Sequence, residues 1–130
     1  MAQDRRYPNP GDLIEFKRRG YEHWAVYVGE GCVIHVTGLG KAGSPFSASS
    51  MTLLTRKAKV KKELLTSVAG KDDWAVNNKY DWFRTPFPGE EIVRRAERWI
   101  DKVVPYGVFL RNCEHFVTEL RYGEGVSEQV

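Results

Sequence analysis

The sequence predicts an α+β domain built on an antiparallel β-sheet, and three observations carry that prediction. Strand-like patterns are concentrated in the first half of the 130 residues. Two apolar runs, Trp24–Val28 and Cys32–Val36, are separated only by Gly29-Glu30-Gly31, which is the pattern of a β-hairpin. Apolar residues at clear helical spacing appear only after Gly89. Strands gathered ahead of helices fit an α+β arrangement better than alternating βα units. The length is that of one domain, residues 1–130, large enough to fold without a disulfide or metal staple.

The elements follow in order. Residues 1–11 are polar and punctuated by Pro8, Pro10 and Gly11, an N-terminal arm. Asp12–Lys17 is a strand candidate through Leu13, Ile14 and Phe16, ended by Arg18, Arg19 and Gly20. The hairpin comes next. Thr37–Ser50, rich in Gly and Ser with Pro45, reads as an exposed loop. In Lys57–Leu65, lysines at 57, 59 and 61 alternate with Ala58 and Val60, which predicts a strand with one wet face; Lys62 interrupts the pattern. Ala69–Gly89 reads mostly as loop, carrying Trp74, Tyr80, Trp82 and Phe83 before Pro86-Phe87-Pro88. Glu90–Val104 is the clearest helix, with Ile92, Val93, Ala96, Trp99, Ile100 and Val103 at helical spacing and Glu90 and Glu91 in its first turn. Tyr106–Leu110 is a short strand candidate. Asn112 then fits an N-cap for a second helix, Cys113–Tyr122, stopped by Gly123.

Composition excludes several classes. With 42% hydrophobic and 28% charged residues, the chain is neither collagen-like, low-complexity nor disordered. Twenty Lys+Arg against 17 Asp+Glu is too small an excess to argue for nucleic acid. The longest apolar runs are about five residues, far short of the ~20 that cross a bilayer. The first twelve residues carry Asp4, Arg5, Arg6 and two prolines, unlike a signal peptide. Two cysteines make no disulfide framework, so a reducing, cytoplasmic compartment is the expectation.

The hairpin can be read geometrically. A three-residue Gly29-Glu30-Gly31 loop sets Val28 opposite Cys32, and opposed residues share a face. One face then carries Trp24, Val26, Val28, Cys32, Ile34 and Val36, all apolar. The other carries His23, Ala25, Tyr27, Val33, His35 and Thr37. His23 and His35 become diagonal neighbours, roughly 7–8 Å apart. A two-residue loop would break this parity and separate the histidines.

The same parity separates the cysteines. Cys32 falls on the apolar face and reads as a small core residue. Cys113 starts a helix with Phe116, Val117 and Leu120 on its side, so it points into the domain. At a helix N-terminus a thiol pKa falls from ~8.5 into a range of ~3.5–7.5, and a nearby histidine lowers it further as a thiolate–imidazolium pair. Fast iodoacetamide labelling near pH 6 is the corresponding expectation. His115 lies two positions on, about 200° around the helix, and reads as structural. Two chemical readings remain from the residues alone: a Cys/His nucleophilic site, or a zinc site of His23, His35 and Cys113 that lacks closely spaced ligand pairs. The basic run Arg56–Lys62 is either a lipid-docking patch or a solvated strand face. The aromatics of Trp74–Phe87 either enter an interface or cover the core.

Three segments resemble a known family: Gly11-Asp12-Leu13-Ile14-Glu15, Tyr21-Glu22-His23-Trp24-Ala25-Val26-Tyr27-Val28-Gly29 and, above all, Asn112-Cys113-Glu114-His115-Phe116-Val117. With Val76-Asn77-Asn78-Lys79 and Leu120-Arg121-Tyr122-Gly123, they resemble the phospholipase A/acyltransferase (H-Ras-like suppressor) family, relatives of lecithin:retinol acyltransferase. The resemblance runs over residues 10–130. It implies a circularly permuted papain-like domain related to NlpC-type peptidases. It also implies Cys113 as nucleophile, His23 as base, His35 as the orienting histidine, and Tyr21 near the oxyanion hole. Family members usually carry a C-terminal hydrophobic anchor, and this sequence stops at Ser127-Glu128-Gln129-Val130, where that tail would begin; a catalytic domain without its anchor is the expectation. Gly38–Ser50 and Trp82-Phe83 match the family poorly.

The implied activity is acyl transfer from glycerophospholipid through a Cys113 thioester. The acyl group passes to water, to phosphatidylethanolamine or to a lysophospholipid. No cofactor or metal is required, so calcium independence is expected. The expected partners are phosphatidylcholine, phosphatidylethanolamine and a membrane surface, met by a monomer. A non-enzymatic interaction module and a cysteine peptidase are the alternative readings.

Overall fold

A computed structural model describes residues 7–38, 57–105 and 113–123. Its strands are β1 (Leu13–Arg18), β2 (Tyr21–Gly29), β3 (Cys32–Gly38), β4 (Lys57–Leu64), β5 (Trp74–Val76) and β6 (Val103–Pro105). The α-helices are α1 (Leu65–Ala69), α2 (Gly89–Glu97) and α3 (Cys113–Tyr122), with a 3₁₀ turn at Lys79–Trp82. The six strands form one sheet in the order β5-β1-β2-β3-β4-β6, and every pairing is antiparallel. The α+β expectation holds. Asn112, Tyr106–Leu110 and most of the Gly/Ser-rich stretch lie outside the described residues.

Period-2 alternation sends the two faces of the sheet into separate cores. Leu13, Trp24, Val26, Ile34, Val36, Ala58 and Val60 face α2 and α3, where Ile92, Ala96, Phe116, Val117 and Leu120 complete the first cluster. Ile14, Phe16, Ala25 and Val33 face the other way and meet Leu65 and Ala69 of α1, with Trp74 and Val76 of β5 against them.

The hairpin keeps the expected register, Val26 with Ile34 and Tyr27 with Val33, by a different route. Gly29 pairs with Cys32, so the loop is the two residues Glu30 and Gly31, both left-handed with φ of 55° and 78°. That is the conformation a tight hairpin turn requires. A register shift between Tyr27 and Gly29 absorbs the missing residue as a bulge at Val28. Parity is therefore restored. The change leaves Cys32 half-buried beside the turn, outside both clusters, which corrects the core placement expected for it.

Helix α2 ends sooner than Glu90–Val104 predicts. After Trp99 and Ile100 close tight turns on Ala96 and Glu97, Asp101 turns left-handed at φ 71°. The Asp101 N–H donates to the Val60 carbonyl (2.8 Å), and the Val60 N–H donates to Lys102 (3.1 Å). The chain is captured by the β4 edge, so Val103 and Val104 belong to a strand. Within Ala69–Gly89, expected mostly as loop, lie β5 and the 3₁₀ turn, which at three and four residues are too short to show a period. The five-residue α1 has the same difficulty. Lys62, which interrupted the β4 alternation, sits on the face towards α2 and pairs there with Glu97 (3.9 Å). Lys59 pairs with Asp101 (3.7 Å), so these two lysines of the basic run are compensated within the fold.

Close backbone approach seats the N-terminal arm on α2. A Cβ on Gly89 would lie 2.6 Å from the Pro10 carbonyl oxygen, so only glycine permits the contact. Arg121 of α3 closes the same corner. Its guanidinium donates to the Gly11 carbonyl (2.8 Å) and, through Nε (3.1 Å) and Nη2 (2.7 Å), to the Asp81 carboxylate. The Tyr122 hydroxyl donates to the same carboxylate (2.6 Å).

Candidate active site

Strand parity puts His23 and His35 on one face of β2 and β3, and the rings meet. His23 Nε2 lies 2.8 Å from His35 Nδ1, with the ring planes at 81°. His35 continues to the next strand, where its Nε2 lies 2.8 Å from Glu63 Oε2. Because His35 opposes Lys61 and Glu63 opposes Val33, this second contact is again a diagonal step on the same face. A chain of three polar side chains thus crosses β2, β3 and β4. His35 is buried at 5% exposure, while the Glu63 side chain is 39% exposed.

Cys113 opens α3 and packs with Phe116, Val117 and Leu120 in the first cluster, as the helical spacing requires. Its thiol donates to the Glu22 carbonyl at 3.6 Å. The backbone amides of Trp24, Cys113 and Glu114 lie close enough to the sulfur to favour a thiolate. Glu22 and Trp24 flank His23, so the sulfur meets β2 at the residues on either side of that histidine. The helix start thus brings the sulfur to the β2 main chain beside His23. Tyr21, at the start of β2, has its phenol pushed up from the ordinary value chiefly by burial, with Arg18 opposing and Cys113 adding to the rise.

Electrostatics overturn the expected thiolate. Burial pushes the Cys113 thiol up to about 11, outweighing the backbone amides that oppose it. Burial first, then His35 and Arg18, hold His23 down to about 3. Desolvation disfavours the charged form of each group, so both are neutral between those limits. The helix start is real, and its favourable amides are too weak to offset the loss of water. Iodoacetamide should therefore label Cys113 slowly at pH 6 and about tenfold faster per pH unit towards pH 11. Peptide mass spectrometry separates Cys113 from the half-buried Cys32. A rate already at its plateau near pH 6 would contradict a neutral resting thiol.

A zinc ion fits these donors poorly. Two tetrahedral ligands at ~2.0–2.1 Å from zinc stand roughly 3.3 Å apart. His23 Nε2 and His35 Nδ1 are 2.8 Å apart, at hydrogen-bond distance instead. Among the described residues no group of three His, Cys, Asp or Glu side chains converges on a point. His115 is exposed on α3, away from the buried Cys113 face.

Several supporting residues lie in the segments that carry the resemblance, but their roles are visible only in the structure. Glu114 is 1% exposed, accepting from the Tyr80 hydroxyl (3.0 Å) and pairing with Lys79 (3.3 Å). Asn78 accepts from the Leu13 N–H (2.8 Å) and donates to Asp12 (3.1 Å), while Asn77 donates to Glu15 (3.0 Å). A buried carboxylate directly after Cys113 and an Asn pair after an apolar run were the available signals.

A family model described as Lecithin retinol acyltransferase matches residues 6–126. The chain belongs to that family. Phospholipase A and acyltransferase 2 of Homo sapiens is 50% identical over 130 residues, all of this chain and 80% of the relative. Phospholipase A and acyltransferase 3 of Mus musculus is 54% identical over 123 residues, 95% of this chain and 76% of the relative. Phospholipase A and acyltransferase 4 of Homo sapiens is 43% identical over 130 residues, 100% of this chain and 79% of the relative.

Proposed function

We propose that this protein is a thiol-dependent phospholipase A and acyltransferase working on glycerophospholipids through a Cys113 acyl-thioester. The observation that carries the reading is the seating of the Cys113 sulfur on the β2 backbone around His23, whose ring is hydrogen-bonded to His35. The names of the relatives support the substrate class and both activities.

In the proposed reaction the thiol proton leaves the Glu22 carbonyl for His23 as the sulfur attacks an ester carbonyl. Both groups rest neutral, so deprotonation and attack occur together. A C–S bond forms, and the carbonyl oxygen becomes an oxyanion near the Cys113 N–H at the helix start, with Tyr21 alongside. Collapse breaks the ester C–O bond, and His23 returns the proton to the lysophospholipid oxygen. Water, the amine of phosphatidylethanolamine or a lysophospholipid hydroxyl then takes the acyl group and restores the thiol. A membrane surface, met from the cytoplasm, is the proposed partner. Trp82, 83% exposed and packed against the half-exposed Phe83, supports that contact.

The test is acid quenching during turnover of phosphatidylcholine vesicles, with and without phosphatidylethanolamine, followed by peptide mass spectrometry. An acyl adduct on the Cys113 peptide is expected, with N-acylated product when the amine is present. Turnover with no adduct, or with an adduct elsewhere, overturns the thioester.

A further inference from the structure

We propose that Glu63 is a positioning residue that sets the tautomers of both site histidines, and so decides which nitrogen of His23 receives the Cys113 proton. The proposal rests on the acyl-thioester reading only for its catalytic consequence. Its structural part stands on the two contacts along the chain from β2 to β4.

A carboxylate can only accept, so His35 must present Nε2–H to Glu63 Oε2 at 2.8 Å. The hydrogen bond from His35 also holds the Glu63 carboxyl below its ordinary range, keeping it an acceptor. In a neutral His35 ring the other nitrogen, Nδ1, then carries only a lone pair. That nitrogen faces His23 Nε2 at 2.8 Å, and the contact is a hydrogen bond only if His23 supplies the proton. His23 is thereby Nε2–H, and its basic lone pair is on Nδ1. When the Cys113 S–H bond breaks, the new N–H bond forms at Nδ1, and the hydrogen bond to His35 helps hold the resulting cation. The opposite assignment, with His35 donating from Nδ1, would leave its bare Nε2 facing a carboxylate. Glu63 excludes that arrangement. It touches no reacting atom and acts through His35.

Glu63→Gln keeps the shape and removes the discrimination, because the amide can turn either its oxygen or its NH₂ to the ring. The experiment is long-range ¹H–¹⁵N correlation of the histidine rings in the full chain, paired with steady-state kinetics on phosphatidylcholine vesicles. The parent protein should show one protonated nitrogen, Nε2, on each of His23 and His35. Glu63→Gln should show mixed tautomers and a kcat lower by about tenfold with KM retained, in keeping with the cost of losing such outer partners. Unchanged ring signals, an unchanged kcat, or a His35 protonated on both nitrogens in the parent would each overturn the assignment. Cys113→Ala assayed in parallel separates the two ideas. Turnover surviving in that variant defeats the thioester reading, while the ring signals still decide the role of Glu63.

Discussion

Cys113→Ala is expected to lower acyl release from phosphatidylcholine by about 10⁴-fold or more, the scale on which loss of a covalent nucleophile acts. Loss of fold would not explain such a change. Cys113 is 8% exposed within the first cluster, and trimming one sulfur from it should cost about 1 kcal/mol. Thermal melts of the variant should therefore stay close to those of the parent. Cys113→Ser makes a sharper comparison. It keeps a donor of similar size at the Glu22 carbonyl, but replaces the sulfur with an oxygen that is harder to deprotonate and less nucleophilic. The burial that pushes the thiol up to about 11 acts on the hydroxyl as well. Serine should therefore fall almost as far as alanine, with vesicle hydrolysis as the readout. Activity within tenfold of the parent in either variant would exclude Cys113 as nucleophile.

Arg121→Met is expected to destabilise the fold by about 3 kcal/mol, read as a lower urea midpoint at unchanged slope. Breaking a buried ion pair from one side leaves the other partner uncompensated, which costs ~3–5 kcal/mol. Asp81 keeps 39% side-chain exposure and its hydrogen bond from Tyr122, so part of the loss is recovered and the lower end applies. The guanidinium also donates to the Gly11 carbonyl, a contact that methionine cannot make. Methionine fills a comparable volume, which isolates the polar loss from a cavity. Asp81→Asn and the double variant complete the cycle. A coupling under about 0.5 kcal/mol would mean that the network does not hold this corner.

Where a segment pairs with its neighbour in sequence, the chain was legible. The hairpin parity rested on six apolar residues of one face, and it brought His23 to His35 correctly even though the loop was counted one residue too long. Two errors, one loop residue too many and an unseen bulge, cancelled. Glu63 was not legible because β4 returns to β3 after a long connection, and no local pattern reports a register across it. Nor was the end of α2. Val103 continues the helical period, but main-chain bonds to Val60 win over periodicity there. The thiol of Cys113 shows a third limit. Its helix start can be read from sequence, whereas the desolvation that dominates its acidity comes from residues scattered across the chain.

Nucleophile and histidines draw their support from different elements, α3 for the sulfur and β2 to β4 for the imidazoles. The cluster beneath α2 and α3 holds the sulfur, and hydrogen bonds running from His23 through His35 to Glu63 hold the imidazoles. What they share is a single tripeptide of main chain, Glu22-His23-Trp24, against which the sulfur rests. Bond lengths and planar peptides there leave few soft degrees of freedom. The alignment of the site thus runs through one short stretch of backbone, on which the sulfur rests and from which the His23 ring extends.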